Sequence, residues 1–305
     1  MMERSDIKIH IETCPVCESS DLVSYVSCKD YLTTEEFFTI EECRTCGFAL
    51  TQDFPDEKEI GRYYDAPDYV SHSDTHKGLI NTLYHWARKV ALGSKAKVIN
   101  RFATNKTGTL LDIGSGTGYF LNKMKSLNWN VTGIEKSEAA RLYAKQKFDI
   151  DSKDSEYLYG IHNETQDVIT MWHVLEHLEH LNKVMMQLNI MLKNDGIAVI
   201  ALPNKDSFDA IHYREYWAAY DVPRHLWHFS PSDFTFLANK HGFKLIETRP
   251  MFFDIFYISM LSEKNKGTFL ASLVGLMKGS FFFLKTLNKK EKCSSLIYVL
   301  KKNNR

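Results

Sequence analysis

Six cysteines occur in the chain, and four of them form two pairs, Cys14-Pro-Val-Cys17 and Cys43-Arg-Thr-Cys46, about 25 residues apart. Thiolates two residues apart can grip one ion from a tight turn, and two such turns complete a tetrahedral set of four sulfurs. Cys14, Cys17, Cys43 and Cys46 are therefore read as ligands of one structural zinc ion, with iron or a redox dithiol as alternatives. Cys28 and Cys293 stand alone and read as packed thiols. A second group is TLLDIGSGTGYFL, Thr109 to Leu121, where Gly114, Gly116 and Gly118 open a turn wide enough for a ligand to touch the backbone. A third is titratable: His173, Glu176 and His177 in one run, then Arg224-His225-Leu-Trp-His228-Phe229. Imidazoles beside a carboxylate suit proton transfer near neutral pH or a metal.

These residues need a scaffold, and the apolar pattern supplies one. Thr109 to Ile113 reads as a buried strand holding Asp112, and Tyr119 to Leu127 as the helix that follows the glycines. Val131 to Ser137 holds a second strand ending at Glu135. Asp167 to Trp172 is a third and Gly196 to Asn204 a fourth, with a strand also expected in Asp149 to Glu156. Ser137 caps a helix running to about Lys147, and Asn182 to Leu192 is an amphipathic helix closed by the Asn194-Asp195-Gly196 turn. Strands alternating with helices predict a doubly wound α/β sheet with its ligands at the carboxyl ends of the strands. A dinucleotide fingerprint fits poorly, because Tyr119 or Leu121 stands where the third small residue belongs.

The D-x-G-x-G-x-G run resembles motif I of class I S-adenosylmethionine (SAM) methyltransferases, and the successive strands extend the resemblance over about residues 105–250. It implies a Rossmann-like, seven-stranded SAM methyltransferase sheet. It also implies cofactor contacts from Asp112, Gly114, Gly116, Gly118, Glu135, Trp172 and His173, with Glu135 accepting from the ribose hydroxyls. In related enzymes an aromatic segment closes over the cofactor, which makes Tyr69 and His72 candidate lid residues. The cysteine segment resembles a zinc ribbon, and similar segments precede the catalytic domain in methyltransferases acting on deoxysugars. Small-RNA 2′-O-methyltransferases have a comparable acid-x-x-Glu-His run and later histidine that hold a divalent metal. Here His173 replaces the first acid and Phe229 comes one residue early.

Composition narrows the partners. Over 305 residues, 44% hydrophobic and 25% charged side chains suit a globular chain with a full core. Formal net charge is zero, but residues 1–62 carry 14 acidic against 6 basic side chains. An acidic ribbon without a basic stripe argues against nucleic acid as a partner. The charged start MMERSDIKIH lacks an apolar signal segment, and paired cysteines suit a reducing compartment, so a cytoplasmic protein is expected.

The organisation expected is a zinc-ribbon module over 1–58, a helical linker and lid over 59–104, and a SAM methyltransferase domain over 105–305. That domain carries insertions at 205–231 and 250–293. The first insertion, with five non-histidine aromatics from Phe208 to Tyr220, lies where loops build a substrate pocket. In the second, Phe269 to Leu287 is strongly apolar but interrupted by Lys278 and Lys285. Burial against the domain is favoured over contact with a membrane surface, and a spanning helix is not expected. The function expected is methyl transfer to a small molecule, a sugar or a lipid- or quinone-like metabolite. An RNA methyltransferase and a non-catalytic SAM-fold interaction protein are the alternatives. His177 or His228 would take the acceptor proton, with His173 lining the cofactor pocket. If HVLEHL starts a helix, residues 173, 176 and 177 share one face.

Overall fold

The computed structural model describes residues 8–64, 79–161 and 163–303. The candidate lid residues Tyr69 and His72 lie outside them. The chain begins with β1 (Lys8–Ile9), β2 (Leu22–Lys29), β3 (Phe37–Cys43), β4 (Ala49–Thr51) and β5 (Phe54–Pro55). A long helix, α1 (Leu79–Phe102), then leads to β6 (Thr109–Ile113), α2 (Tyr119–Lys125), β7 (Asn130–Ile134), α3 (Glu138–Phe148) and α4 (Tyr157–Gly160). Next come β8 (Gln166–Trp172), α5 (Leu181–Met191), β9 (Leu192–Pro203) and α6 (Phe208–Tyr213). The remainder is β10 (Trp227–His228), α7 (Pro231–Lys240), β11 (Phe243–Pro250), α8 (Phe252–Asn265), α9 (Ala271–Asn288) and β12 (Ser295–Lys302).

The central sheet has six strands in the order β11-β12-β9-β8-β6-β7. β7, β6, β8 and β9 are parallel, whereas β12 runs antiparallel to both β9 and β11. Both faces are covered, which is why these strands read as unbroken apolar runs. In β9, Ile197, Val199 and Ala201 meet α1 and α2 through Ile99, Phe120 and Met124, while Ala198, Ile200 and Leu202 face Met185, Leu188 and Leu237. The seventh strand expected from the sequence is reduced to one parallel bridge, Ile134 to Lys153. Polar residues fill Asp149 to Glu156, so that edge lacks the apolar surface that would hold a full strand. The turn at Asn194-Asp195-Gly196 is absorbed as a bulge: Leu192 and Ile197 of β9 oppose Gln166 and Val168 of β8. Ser137 caps α3 as expected, accepting from Ala140 N.

The N-terminal strands β2, β3 and β4, the segment expected to be a ribbon, form a second sheet in the order β10-β4-β3-β2. Its fourth strand comes from the 205–231 insertion, with Trp227 opposite Leu50 and His228 opposite Ala49. Arg224 anchors this seam. Its fully buried guanidinium donates to Asp221 Oδ1 (2.7 Å), to Asp30 Oδ1 (2.9 Å) and to the Tyr63 carbonyl (2.8 Å). Burial alone would raise the Asp30 carboxyl pKa. Hydrogen bonds from Thr33 and Thr34, with the guanidinium, outweigh that and hold it well below the usual carboxylate range.

The 250–293 insertion is a helical hairpin. α9 presses Gly275 onto the Met260 backbone and Gly279 onto Phe256 of α8, so side chains there would force the helices apart. Phe282 and Thr286 are buried on the same side, whereas Leu273, Met277, Phe281 and Leu284 are exposed. Among the described residues no helix is long and apolar enough to cross a membrane.

The Arg224 seam generates a stability prediction. Arg224→Leu leaves the buried Asp30 and the half-buried Asp221 without their cation, which costs about 3–5 kcal/mol of unfolding free energy. Urea unfolding followed by circular dichroism measures this, and a loss below about 1 kcal/mol would show that the seam is not held by this pair.

Candidate functional site

The parallel strands deliver their chemistry to one edge. Gly114, Gly116 and Gly118 all adopt positive φ (70°, 51° and 78°), which side chains rarely accept. At Gly114 an added Cβ would also strike Val174, and at Gly118 it would lie 2.9 Å from Ala144 Cβ. Gly116 meets nothing within 4 Å, so space is open above its backbone. Glu135, just past β7, spans the loop: its Oε2 accepts from Gly116 N at 2.8 Å and its Oε1 from Ser137 N at 2.9 Å. The loop and the carboxylate expected to bind one ligand are thus already joined.

Below the loop, Asp112 is buried and accepts from Thr170 Oγ1 at 2.5 Å. Burial pushes its pKa up to about 7, against the pull of Thr170 and Lys95. Lys95, on α1, sits with Nζ 4.4 Å from the centre of the Trp172 ring. Burial lowers its pKa, countered by Asp112 and Asp254. The Trp172 ring meets Phe120 edge to face at 5.3 Å, and its indole Nε1 is buried with no hydrogen-bond partner. Asp112, the three glycines, Glu135 and Trp172 therefore gather at the carboxyl edge of β6, β7 and β8.

HVLEHL does not start a helix. His173 turns into the left-handed region (φ 58°), and Leu175–His177 form a single 3-10 turn. The turn separates the histidines. His173 Nε2 lies 3.1 Å from Asp254 on α8, and its Nδ1 lies 3.4 Å from Glu176, an ion-pair distance without hydrogen-bond geometry. Burial opposes charge on this ring, but Asp254 and Glu176 prevail and raise its pKa to about 9. His177 points the other way, with Nδ1 2.9 Å from the Arg224 carbonyl and 3.2 Å from the Tyr64 hydroxyl. Burial, reinforced by His225, lowers its pKa to about 4. His228 lies apart from both, fully buried in the ribbon seam. Its Nε2 is 2.9 Å from Thr51 Oγ1 and its ring packs edge to face on Tyr220. The histidine that joins Glu176 and His177 is His225.

Lys95, Asp254 and His225 are the residues that sequence reading missed. His225 sits within the quoted R-H-x-x-H-F run, but nothing in the run says which histidine turns inward. Lys95 and Asp254 come from remote helices and carry no local signal.

At the other end of the chain the four paired cysteines converge. Cys14 Sγ and Cys46 Sγ are 3.6 Å apart, and Cys17 Sγ and Cys43 Sγ 3.5 Å. A tetrahedral zinc–thiolate site needs sulfur separations of about 3.8 Å. The second knuckle closes through Gly47 N donating to Cys43 O at 2.7 Å, with Gly47 at φ 81°.

A family model for a methyltransferase domain matches residues 85–248. A ubiquinone biosynthesis O-methyltransferase from Rickettsia canadensis is 27% identical over 160 residues, covering 48% of this chain and 66% of that protein. An uncharacterized protein from Methanocaldococcus jannaschii is 25% identical over 240 residues, covering 70% of this chain and 96% of that one. Among solved structures, a geranyl diphosphate C-methyltransferase from Streptomyces coelicolor is similar in fold, with a TM-score of 0.50 and 11% identity over 76% of this chain and 88% of that one.

His173 yields a pH prediction. Its pKa is raised in the folded chain, so its stabilising contribution is complete below about pH 6.5 and is lost as pH rises through about 9. The melting temperature of wild type is therefore expected to fall between pH 7 and 9.5, and by less in Asp254→Asn. An NMR titration placing the His173 pKa near 6.5 in wild type would contradict the paired imidazolium.

Proposed function

The chain belongs to the methyltransferase family, and on that premise we propose that it transfers a methyl group from SAM to a small-molecule acceptor. The observation that carries this reading is the Glu135 carboxylate fixed to Gly116 N beside the open left-handed loop. When bound, SAM supplies an electrophilic methyl group on a sulfonium centre. The residues fit such a molecule. Glu135 has lone pairs left for two ribose hydroxyls, while the buried Asp112 carboxyl, beside Thr170 and Lys95, would also accept from an amino acid ammonium. The unpartnered indole N–H of Trp172 and the His173 imidazolium would accompany the methionine end. Asp112, Gly114, Gly116, Gly118, Glu135, Trp172 and His173 are the proposed cofactor contacts, and Tyr69 a proposed lid residue. Alignment of acceptor and methyl group would supply most of the rate enhancement.

The acceptor approaches from the 205–231 insertion and the α8–α9 hairpin, the two segments that border this edge. Proton uptake, where the acceptor requires it, is assigned to the Glu176–His177–His225 cluster. His228, hydrogen-bonded inside the ribbon seam, then serves by holding the insertion in place. A lipid- or quinone-like acceptor is the favoured class. Support comes from the hairpin's aromatic and aliphatic side chains and from the relative named for ubiquinone biosynthesis.

We further propose that Cys14, Cys17, Cys43 and Cys46 hold one structural zinc ion that folds residues 1–58. The convergence of the four sulfurs supports this, and the Ala49–Thr51 pairing then carries the ribbon onto the insertion.

Two measurements check these readings. Glu135→Ala is expected to weaken SAM binding by about 1.5–3 kcal/mol through loss of the ribose acceptor. Isothermal calorimetry showing wild-type affinity in that variant would exclude the assignment. Purified protein is expected to contain zinc that is lost on Cys43→Ser substitution, with rapid proteolysis of the N-terminal segment following. Zinc at the wild-type level in that variant would rule out the ribbon site.

A further inference from the structure

The α9 helix is apolar on two opposite sides. Gly275, Gly279, Phe282 and Thr286 recur at helical spacing and are buried, with the two glycines against α8. Leu273, Met277, Phe281 and Leu284 recur at the same spacing on the far side, and all four are exposed. Phe269 and Leu270, just ahead of the helix, are exposed as well, with Leu270 held in the left-handed region (φ 56°). A helix that is apolar all round is normally covered all round. Among the described residues nothing covers the far side, and a contiguous exposed apolar face marks a contact made with something else.

The face makes no polar demands. Between Leu273 and Leu287 the exposed polar side chains are Ser280 and Lys285. Ser280 donates its hydroxyl back to Leu276 O at 2.9 Å. Lys285 lies at the rim, its ammonium 4.3 Å from the centre of the Phe208 ring and 5.4 Å from that of Phe281. Protein interfaces carry roughly one hydrogen bond per 100–200 Å². A stripe that offers none suits hydrocarbon better than a folded partner.

Charge is sorted in the same sense. The two acids of the hairpin turn inward, Asp254 to His173 at 3.1 Å and Glu263 to Lys278 at 2.7 Å. From Phe252 to Lys290 every exposed charged side chain is a lysine: Lys264, Lys266, Lys285, Lys289 and Lys290. The first two stand near the turn between the helices and the last two just beyond α9, so basic groups bracket the apolar stripe. A second copy of the chain seated on this face would set lysines against lysines. An anionic lipid surface answers both features, with headgroups for the ammoniums and acyl chains for the stripe.

We propose that the outward face of α9, together with Phe269 and Leu270, docks on an anionic membrane surface, with the helix lying in the plane of the headgroups. The sequence favoured burial of this segment against the domain. One side of the helix is so buried, and the other is left for lipid. With 18 residues α9 is about 27 Å long, and it rests on the surface without crossing it. Docking goes beyond the methyl-transfer reading and does not rest on it, because it is measured without SAM or turnover. Where that reading holds, the hairpin that brings Asp254 to His173 also holds this edge beside the lipid that would store an apolar acceptor.

The test is flotation of the full chain with vesicles of phosphatidylcholine alone or of equal parts phosphatidylcholine and phosphatidylglycerol. Wild type is expected to float with the mixed vesicles, less so with the neutral ones, and to be released as salt rises. Replacing Met277→Gln and Phe281→Gln together should lower partitioning more than about 10-fold, and Lys289→Ala with Lys290→Ala roughly 10-fold. Wild type that stays unbound with both vesicles would overturn the proposal, as would wild-type partitioning in both double variants. A dimer that dissociates in the Met277/Phe281 variant, without flotation, would assign the face to a second copy instead. If circular dichroism shows those variants misfolded, Phe281→Trp decides, since it keeps an aromatic ring at an exposed position. Its added emission should be quenched by brominated acyl chains, and unquenched emission from vesicle-bound protein would place another surface on the lipid and refute the assignment. Calorimetry with SAM reads the cofactor proposal separately, so the two can fail independently.

Discussion

The Arg224 guanidinium, buried to 1% exposure, is the constraint on which the arrangement of this protein depends. A charge without water is tolerated only when its donors are satisfied by fixed acceptors, and the acceptors here come from three places. Asp30 belongs to the ribbon, Tyr63 to the short turn at 60–64, and Asp221 to the insertion's own loop. Satisfying one side chain therefore locks the N-terminal sheet, the approach to α1 and the insertion into one geometry. Several consequences follow within a few residues. Leu226 N donates to Glu176 O, Trp227 Nε1 donates to Leu178 O, and β10 completes the ribbon sheet. The turn after β8 is gripped by a segment about 50 residues later in sequence.

That grip explains why the carboxyl edge of the sheet is divided. The 3-10 turn at Leu175–His177 sends His173 toward α8, and His177 toward the insertion. Glu176 stands between them. One imidazole sits among carboxylates and stays charged, whereas the other is buried beside a second histidine and stays neutral. A run of six residues thus serves two environments because burial and neighbouring charge act oppositely on identical side chains.

The hairpin of α8 and α9 contributes at both scales. Asp254 reaches inward to His173, and Gly275 and Gly279 let the helices approach until backbone meets backbone. The outward face of α9 remains apolar, with Phe269 at 87% exposure just ahead of it. Lys278, which breaks the apolar run in the sequence, has a partner in the fold. It neutralises the buried Glu263 at 2.7 Å.

The sequence by itself determined the elements whose signals are local. Apolar runs specified β6, β7, β8 and β9, three glycines in alternate positions specified the loop, and Ser137 specified the start of α3. The paired cysteines specified their own convergence, since two tight turns need only one hairpin to meet. What only the tertiary structure decided depends on contacts between remote stretches. The sequence suggested a seventh strand, but a polar edge left a single bridge. It offered two histidines in R-H-x-x-H-F, and strand pairing with Ala49–Thr51 determined that His228 enters the ribbon seam while His225 turns to Glu176. Lys95 and Asp254 reached the site through helix packing. Strand and turn propensities act over a few neighbouring residues, whereas the pairing of buried charges acts across the whole chain. Patterns of spacing therefore revealed the scaffold, and the electrostatics of burial selected which side chains met at its edge.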